Sequence, residues 1–476
     1  MVPARIPSPL AQRVRTWRIG AAALACLQAS VALAQSEPDD ELGRIPSESP
    51  SPAPSGSSRL HRTIYLESAT QTGLLRSALD VRIPPPAPAT IEQRLFADAR
   101  IEWTPLNGFS LTYSGRPELR AAEHIPFPTH ENLRLDSREL FASWRPVEGV
   151  FLDVGRINLK NGVALGFNPT DFFRTRAVVE PLSVDPSVLR EDRLGALMVR
   201  GQFVWNGGAI SAAYAPKLTA TSQLYQNTTL PSVDPMFDRT NAHHRLLLKG
   251  NVDLAADFSP ELLLYDEDGQ FRLGLNIARS FGKKVVAYAE WAGGNESSLA
   301  HEALSYGVLT GSFPASAASA LMTSQAAHFQ QDLSAGLSYA TESRMTFWAE
   351  YHLHQAGFSR QDWQSWFAEG TARPTLAPVL WYVRGYAQEQ QVPLSKHALF
   401  LRADWTDAFV LNLELTAFAN VNLSDGSTLT QLTANYAATN FWTVALLCSA
   451  NLGTRHSEFG SLPMALSGLL TIRRYF

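Results

Sequence analysis

Between Leu411 and Asn422 every second residue is apolar: Leu411, Leu413, Leu415, Ala417, Ala419 and Val421 fall on one side of an extended chain. Asn412, Glu414, Thr416, Phe418, Asn420 and Asn422 fall on the other. A strand sorts these two sets onto opposite faces, whereas a helix would scatter both around its axis. The pattern recurs along the chain. Leu333, Ala335, Leu337 and Tyr339 oppose Asp332, Ser334, Gly336 and Ser338, while Met345, Phe347, Ala349, Tyr351 and Leu353 oppose Thr346, Trp348, Glu350, His352 and His354. Leu95, Ala97, Ala99, Ile101 and Trp103 oppose Asp98, Arg100 and Glu102, with Phe96 out of step. Further copies run over 245–254, 271–277, 397–405, 429–436 and 441–452.

Soluble sandwiches also alternate, so connection lengths must separate the two architectures. The expected short connections are 104–108, 146–149, 206–208, 255–258, 282–283, 341–344, 406–408 and 437–440. Between them lie 68–90, 114–131, 157–193, 216–243, 292–329 and 356–396, with short exceptions at 266–269 and 424–428. Tight connections at one end and long ones at the other are the asymmetry of periplasmic turns against extracellular loops. A final strand near 464–476 closes on Tyr475 and Phe476, an aromatic ending like that of outer-membrane barrels, although Arg473 and Arg474 interrupt its apolar alternation. The expectation is an all-β, transmembrane antiparallel barrel over 59–476 with about 18 strands. Sixteen is the alternative, and an even total requires a strand from Arg59 to Glu67.

The first 34 residues read as a secretory signal: Arg5, Arg13, Arg15 and Arg18 precede an apolar run from Ile19 to Ala34 that closes on Ala32-Leu33-Ala34. A lipoprotein alternative rests on Ala23-Leu24-Ala25 before Cys26. Residues 35–58, rich in Pro, Ser and acidic side chains, cannot bury a core and are expected to be a disordered lead-in. Beyond the signal no apolar run reaches the ~18 residues of a transmembrane helix, so a membrane role must use strands. The two cysteines, Cys26 and Cys448, supply neither a disulfide framework nor a thiolate metal site. A net charge of -4 argues against nucleic-acid binding, which needs a strongly basic face.

The most distinctive segment reads Gly155-Arg156-Ile157-Asn158-Leu159-Lys160-Asn161-Gly162, then Gly166-Phe167-Asn168-Pro169-Thr170-Asp171-Phe172-Phe173-Arg174. Pro169 fixes its own φ, Asn168 before it is biased to extended geometry, and Asp171 can accept backbone hydrogen bonds. Over about residues 150 to 215 the chain resembles a group of proteobacterial outer-membrane proteins in which Gly-Arg-Gln, Trp-Gly and Asn-Pro-Val-Asp form a long early loop. Gly155, Arg156, Gly162, Asn168, Pro169 and Asp171 carry the match, while Ile157 and Asn161 stand where Gln and Trp are expected. The resemblance implies an envelope barrel for export or uptake and attaches no substrate to it. Folded inward, such a loop would narrow or plug the lumen, and Asp171, Arg174 and Arg176 would meet permeating solute. The candidate pore-loop residues are therefore Arg156, Asn168, Pro169, Asp171, Arg174 and Arg176. The alternative is a structural clasp between loop and wall, since turn chemistry alone accounts for Asn, Pro and Asp here.

The water-facing sides carry both signs: Arg100, Arg200, Arg245, Lys249, Arg272 and Arg402 against Asp98, Glu102, Asp253, Asp332, Glu350, Asp404 and Glu414. Cross-strand pairing is the expected role for most of them. His352 and His354 share a face with Glu350, a spacing that suits a metal but equally an ordinary polar lining, the reading preferred. No Gly-x-Ser-x-Gly elbow or other catalytic motif is present, and no cofactor is expected. In 356–396, with helix-like stretches at 361–369 and 376–388, Trp363, Trp366, Phe367, Trp381, Tyr382 and Tyr386 could stack on solutes. Packing of the loop on itself, or a place in the headgroup girdle, is preferred. The Ala- and Ser-rich segment 292–329 suggests no role.

The leading function is a porin-like or exporter-like barrel in the cell outer membrane that passes small or amphiphilic solutes. A barrel anchoring an envelope assembly, or an outer-membrane hydrolase, are the alternatives. Expected partners are outer-membrane lipid, the barrel assembly machinery and, under the anchor reading, a periplasmic protein, with no nucleic acid.

Overall fold

The structure, a computed structural model, describes residues 59–85, 87–123, 132–179, 181–224, 235–255, 257–321 and 327–476. The expected signal, the Pro/Ser-rich lead-in and Cys26 lie outside the described residues.

Eighteen strands occur among the described residues. The first nine are β1 Arg59–Leu75, β2 Ile91–Leu106, β3 Phe109–Ala122, β4 Leu133–Trp144, β5 Val150–Ile157, β6 Ala196–Trp205, β7 Gly208–Ala215, β8 Arg245–Val252 and β9 Glu261–Glu267. The second nine are β10 Gln270–Phe281, β11 Val285–Glu296, β12 His328–Ala340, β13 Met345–His354, β14 His397–Trp405, β15 Leu413–Asn422, β16 Thr428–Thr439, β17 Trp442–Leu452 and β18 Met464–Tyr475. Each pairs antiparallel with its sequence neighbours, and β1 also pairs with β18, Tyr65 opposite Tyr475, so the sheet closes without an edge. Closure satisfies every strand's backbone polar groups between strands, a requirement for spanning lipid with β-structure.

The alternation sorts inside from outside as expected. Outward positions carry Val154, Val199, Leu262, Leu273, Leu337, Leu401, Leu432, Leu446 and Leu470, all exposed. At the rim of short turns stand Trp103, Trp144, Trp205, Phe281, Phe347, Tyr436 and Phe441, and at the opposite rim Tyr214, Phe271, Phe329 and Tyr351. An apolar band between two aromatic girdles is the outer surface of a barrel in a bilayer. No helix among the described residues is long and apolar enough to cross a membrane.

The turns follow local chemistry. Gly108, Gly149, Gly207 and Gly282 all sit at positive φ in the short connections. The short exception at the loop rim is a two-residue hairpin, Asp268-Gly269, with both residues at positive φ (49° and 89°), the type I′ geometry that Asp-Gly favours. Some strand boundaries, and one residue's side, differ from expectation. β1 runs on to Leu75 rather than ending at Glu67, because its ladder with β18 continues to Met464. β15 starts at Leu413, since Asn412 has φ 64° and belongs to the turn. Phe96 keeps step after all: it points inward, buried with Ala69 and Leu469 beneath the Arg116 guanidinium, 4.5 Å from its ring centroid. The irregular ending also resolves. Arg473 points inward to Glu67 at 2.6 Å, and Arg474 lies over the rings of Trp442 and Phe476.

Among the described residues six α-helices lie in the long loops: α1 Pro186–Glu191, α2 Phe237–Thr240, α3 Leu299–Leu309, α4 Ala315–Ser319, α5 Arg360–Ala372 and α6 Ala377–Gln390. α5 and α6 fall where the helix-like stretches were read, α5 starting at a capping box of Ser359 and Asp362. Trp363, Trp366, Phe367, Tyr382 and Tyr386 are buried in one apolar cluster that also holds Leu299, Ala303 and Leu304 of α3, so the aromatics pack the loop on itself and the Ala-rich segment joins the same core. Arg384 lies within 5.4 Å of the ring centroids of Trp363, Trp366 and Trp381 and donates to Ser461 Oγ (2.8 Å) and the Glu458 carbonyl (2.7 Å). Burial lowers the Arg384 guanidinium to about 10.

Glu458, in loop 453–463, joins this cap to the barrel rim by accepting from Ser395 Oγ (2.5 Å) and Asn422 Nδ2 (2.9 Å). Burial raises its carboxyl from 4.5 to about 7, outweighing those donors and the attraction of Arg384, while Asp425 adds to the rise. The folded cap thus holds a proton more tightly than the unfolded chain. The resulting stability is fully present below pH 4.5 and is lost as pH rises through about 7. Limited proteolysis of 355–396 should accordingly be about tenfold faster at pH 8.5 than at pH 5, and Glu458→Gln should flatten that difference. Equal rates at both pH values in the parent protein would refute the linkage.

Candidate functional site

Loop 158–195 leaves β5 and turns into the lumen, where it forms a strap reaching both sides of the barrel. One side is fastened by carboxylates from the wall. Glu290 of β11 accepts from the Ala164 backbone N–H, from Asn168 Nδ2 at 3.1 Å and from Thr170 Oγ1 at 3.2 Å. Glu350 of β13 accepts from the N–H groups of Leu165 (2.6 Å) and Gly166 (2.8 Å), while Tyr288 and His352 hold the same carboxylate at 2.6 and 2.9 Å. Ser334 Oγ donates to the Phe167 carbonyl (2.6 Å), and Thr170 Oγ1 to Asn276 (2.8 Å). Glu290 and Glu350 are both 0% exposed. Orphan loop amides in the lumen would be costly, and acceptors projecting from the wall satisfy them.

Close approach explains two glycines of the motif. A Cβ on Gly162, which sits at φ 93°, would lie 2.5 Å from the Glu290 carboxylate oxygens, and one on Gly166 would meet Phe400 and His352. Beneath the strap, Phe172 stacks on Tyr265 at 4.6 Å, and Phe173, Leu159, Met198, Ala213, Leu247 and Leu263 complete an apolar contact with β6 to β9.

All six candidate residues are buried and engaged with protein. Arg156 donates to the Gly195 carbonyl (2.9 Å) and ties the strap's two ends together. Asn168 binds Glu290, and Pro169 is fully buried next to it. Asp171, 0% exposed, pairs with Arg193 at 2.6 Å. Arg174 lies over Phe167 and donates to the carbonyls of Asn168 and of Gln390 (3.3 Å), with burial lowering its guanidinium to about 10. Arg176, at φ 54°, donates to Ser222 Oγ (2.9 Å) and the Asp238 carbonyl (3.0 Å), and its N–H donates to the Glu389 carbonyl (2.6 Å). The first four serve the strap and its anchorage to the wall, and the last two tie it to the cap. His354 pairs with Asp332 at 2.7 Å, Arg272 with Asp332 at 3.2 Å and Lys249 with Glu261 at 2.9 Å, the cross-strand role expected of lumen charges, whereas Arg402 pairs within its own strand with Asp404 at 2.8 Å.

The strap's far end is tied to β14, β16, β3 and β4 by ion pairs and hydrogen bonds. Asp185 caps α1 and pairs with Arg402 of β14 (2.8 Å), Ser183 accepts from Gln431 of β16 (3.1 Å), and Asp192 pairs with Arg116 of β3 (3.1 Å) and Arg138 of β4 (2.9 Å). Between these contacts a cavity of about 130 Å³ remains, bounded by Leu182, Ser183, Val188 and Asp192 of the strap. Its outer boundary comes from β16, β17, β18, β1, β2 and β3 through Thr433, Leu447, Leu469, Arg473, Glu67, Phe96 and Arg116. Of these residues the sequence analysis had named only Glu67, Phe96 and Arg473, none as part of a site. Alternation puts most of them on the inward side, but nothing local says that six strands and one loop converge.

No protein-family model matches the chain, and no curated protein matches it. Among solved structures, Pseudomonas aeruginosa OccK5 (OpdH) is similar with a TM-score of 0.50 at 9% identity, over 88% of this chain and 98% of that one. Pseudomonas aeruginosa OccK11 (OpdR) gives 0.49 at 10% identity over 88% and 96%, and a triple mutant of the Rhodopseudomonas blastica porin gives 0.38 at 10% over 88% and 100%. The likeness to OccK5 is one of fold, and the two lower scores add nothing to it. A closed eighteen-strand antiparallel barrel with an apolar, aromatic-rimmed exterior makes this chain a porin-like β-barrel of the outer membrane.

Proposed function

We propose that the protein is an outer-membrane channel for small or amphiphilic solutes, whose path runs through the gap between the strap and the wall formed by β16 to β3. The observation that carries this reading is the strap's seating: it is fastened by Glu290, Glu350 and apolar packing on one side and leaves a cavity against the wall on the other. Arg156, Asn168, Pro169, Asp171, Arg174 and Arg176 act in this reading as the frame of the pore loop, setting the gap's width from behind. The envelope-protein resemblance of residues 150 to 215 fits the same role.

Single-channel recording of the refolded protein in a planar bilayer tests it, once heat-modifiable migration has shown a folded barrel. Stable open steps are expected, of small amplitude because the strap crosses the lumen. A second reading has its own support: the helical cap contacts the strap through Glu389 and Gln390, an arrangement suited to a plugged barrel that anchors an envelope assembly. A folded but silent barrel would decide for the anchor and against the channel.

A further inference from the structure

The cavity beside the strap combines two features that an unselective water path does not need. Its charges come as opposed pairs: Glu67 with Arg473 at 2.6 Å on β1 and β18, and Arg116 with Asp192 at 3.1 Å between β3 and the strap, with Asp98 behind Arg116 at 2.9 Å. Glu67 is only 3% exposed. The rest of the lining is apolar: Phe96, Leu182, Val188, Ala445, Leu447 and Leu469, with Ser183, Thr433 and Thr471 between. Phe96 and Leu469 are already largely buried, so the apolar surface left for a solute to cover comes mainly from Leu182, Val188, Ala445 and Leu447.

We propose that this cavity is a selective binding site for small zwitterions that carry an apolar body, of the kind represented by an apolar amino acid. The inference rests on the channel reading above. A monoanion at Arg473 or Arg116 competes with Glu67, Asp98 or Asp192 for the guanidinium, and brings its own charge beside those desolvated carboxylates with nothing to balance it, a costly arrangement. A monocation faces the mirror problem with the arginines. A zwitterion exchanges wall–wall pairs for wall–solute pairs at both ends, keeping the number of charge-assisted hydrogen bonds unchanged. Its apolar body then lies against Leu182, Leu447, Leu469 and Phe96. The volume suits this: about 130 Å³ is close to the ~150 Å³ apolar cavity that admits benzene.

The test is tracer flux into proteoliposomes holding the full-length protein, with KCl conductance recorded in parallel. The probes are leucine, glycine, isovalerate, isopentylamine and erythritol. Leucine should enter at least about fivefold faster than each of the others, although glycine and erythritol are smaller, a discrimination of roughly 1 kcal/mol. Leu447→Ser with Leu469→Ser should bring the ratio of leucine flux to glycine flux down to about one, read as a ratio within the same folded, conducting preparation. Arg473→Gln should abolish the advantage of leucine over isopentylamine. Fluxes ordered by size alone, or isovalerate outrunning leucine, in a conducting barrel would overturn the selectivity and leave the channel standing. A folded barrel that passes neither ions nor any probe would overturn both.

Discussion

Removing the two carboxylates that fasten the strap should open the channel. In a Glu290→Ala, Glu350→Ala double variant, single-channel conductance is expected to rise at least about twofold, with strong open-state noise. Three backbone N–H groups, Asn168 Nδ2 and Thr170 Oγ1 lose an acceptor together. Hydrogen bonds to charged groups contribute about 1.5–3 kcal/mol each, so even heavy discounting for shared acceptors leaves several kcal/mol favouring release. Release also exposes those amides to lumen water, which stabilises the detached state. The barrel should still fold, because the ladders of β11 and β13 do not involve these side chains. Heat-modifiable migration checks that independently. The Gln, Gln variant, which keeps side-chain volume and one acceptor per residue, should fall between parent and Ala, Ala. An unchanged, quiet conductance in the alanine variant would mean that the strap is held by its apolar packing and its cap contacts instead.

The second large effect belongs to the strap's internal ion pair. Asp171 and Arg193 are both buried and 2.6 Å apart, with Arg190 of α1 at 3.7 Å from the same carboxylate. Asp171→Ala leaves the Arg193 guanidinium without its anionic partner, and breaking a buried pair this way typically costs about 3–5 kcal/mol. Replacing both, as Asp171→Leu with Arg193→Met, removes the orphan charge along with the pair and should recover most of that loss. Equilibrium urea unfolding from lipid vesicles measures Asp171→Ala, the single variants Asp171→Leu and Arg193→Met, and their double, and the cycle formed by the last three with the parent gives the coupling. Additive single effects would show that the pair is solvated in the membrane-embedded protein and contributes little.

The two predictions separate what an inward loop needs from what the motif residues do. Asn, Pro and Asp in 168–171 were legible as turn formers, and the fold uses them so: Pro169 is buried in a tight bend, Asn168 reaches Glu290 and Asp171 reaches Arg193. The acceptor that completes the arrangement, Glu290, lies more than a hundred residues downstream, and no feature of its own strand marks it. Glu350 was visible as a water-facing residue beside His352 and His354, but its role in capping loop amides was not. Phe96 looked like an error in the alternation because an aromatic was assumed to belong outside. Inside, it meets Leu469 and Arg116, residues brought to it by barrel closure.

Strand positions, the count of eighteen, the side each residue faces and the alternation of turns with loops follow from period-two patterning and turn chemistry. These act over two to ten residues and are therefore written locally in the chain. Which loop enters the lumen, which wall residues hold it and where a gap remains depend on contacts between β1, β11, β13, β16 and β18 and one strap. Those contacts exist only once the sheet has closed, because closure alone sets the distance across the barrel and the register between strands far apart in sequence.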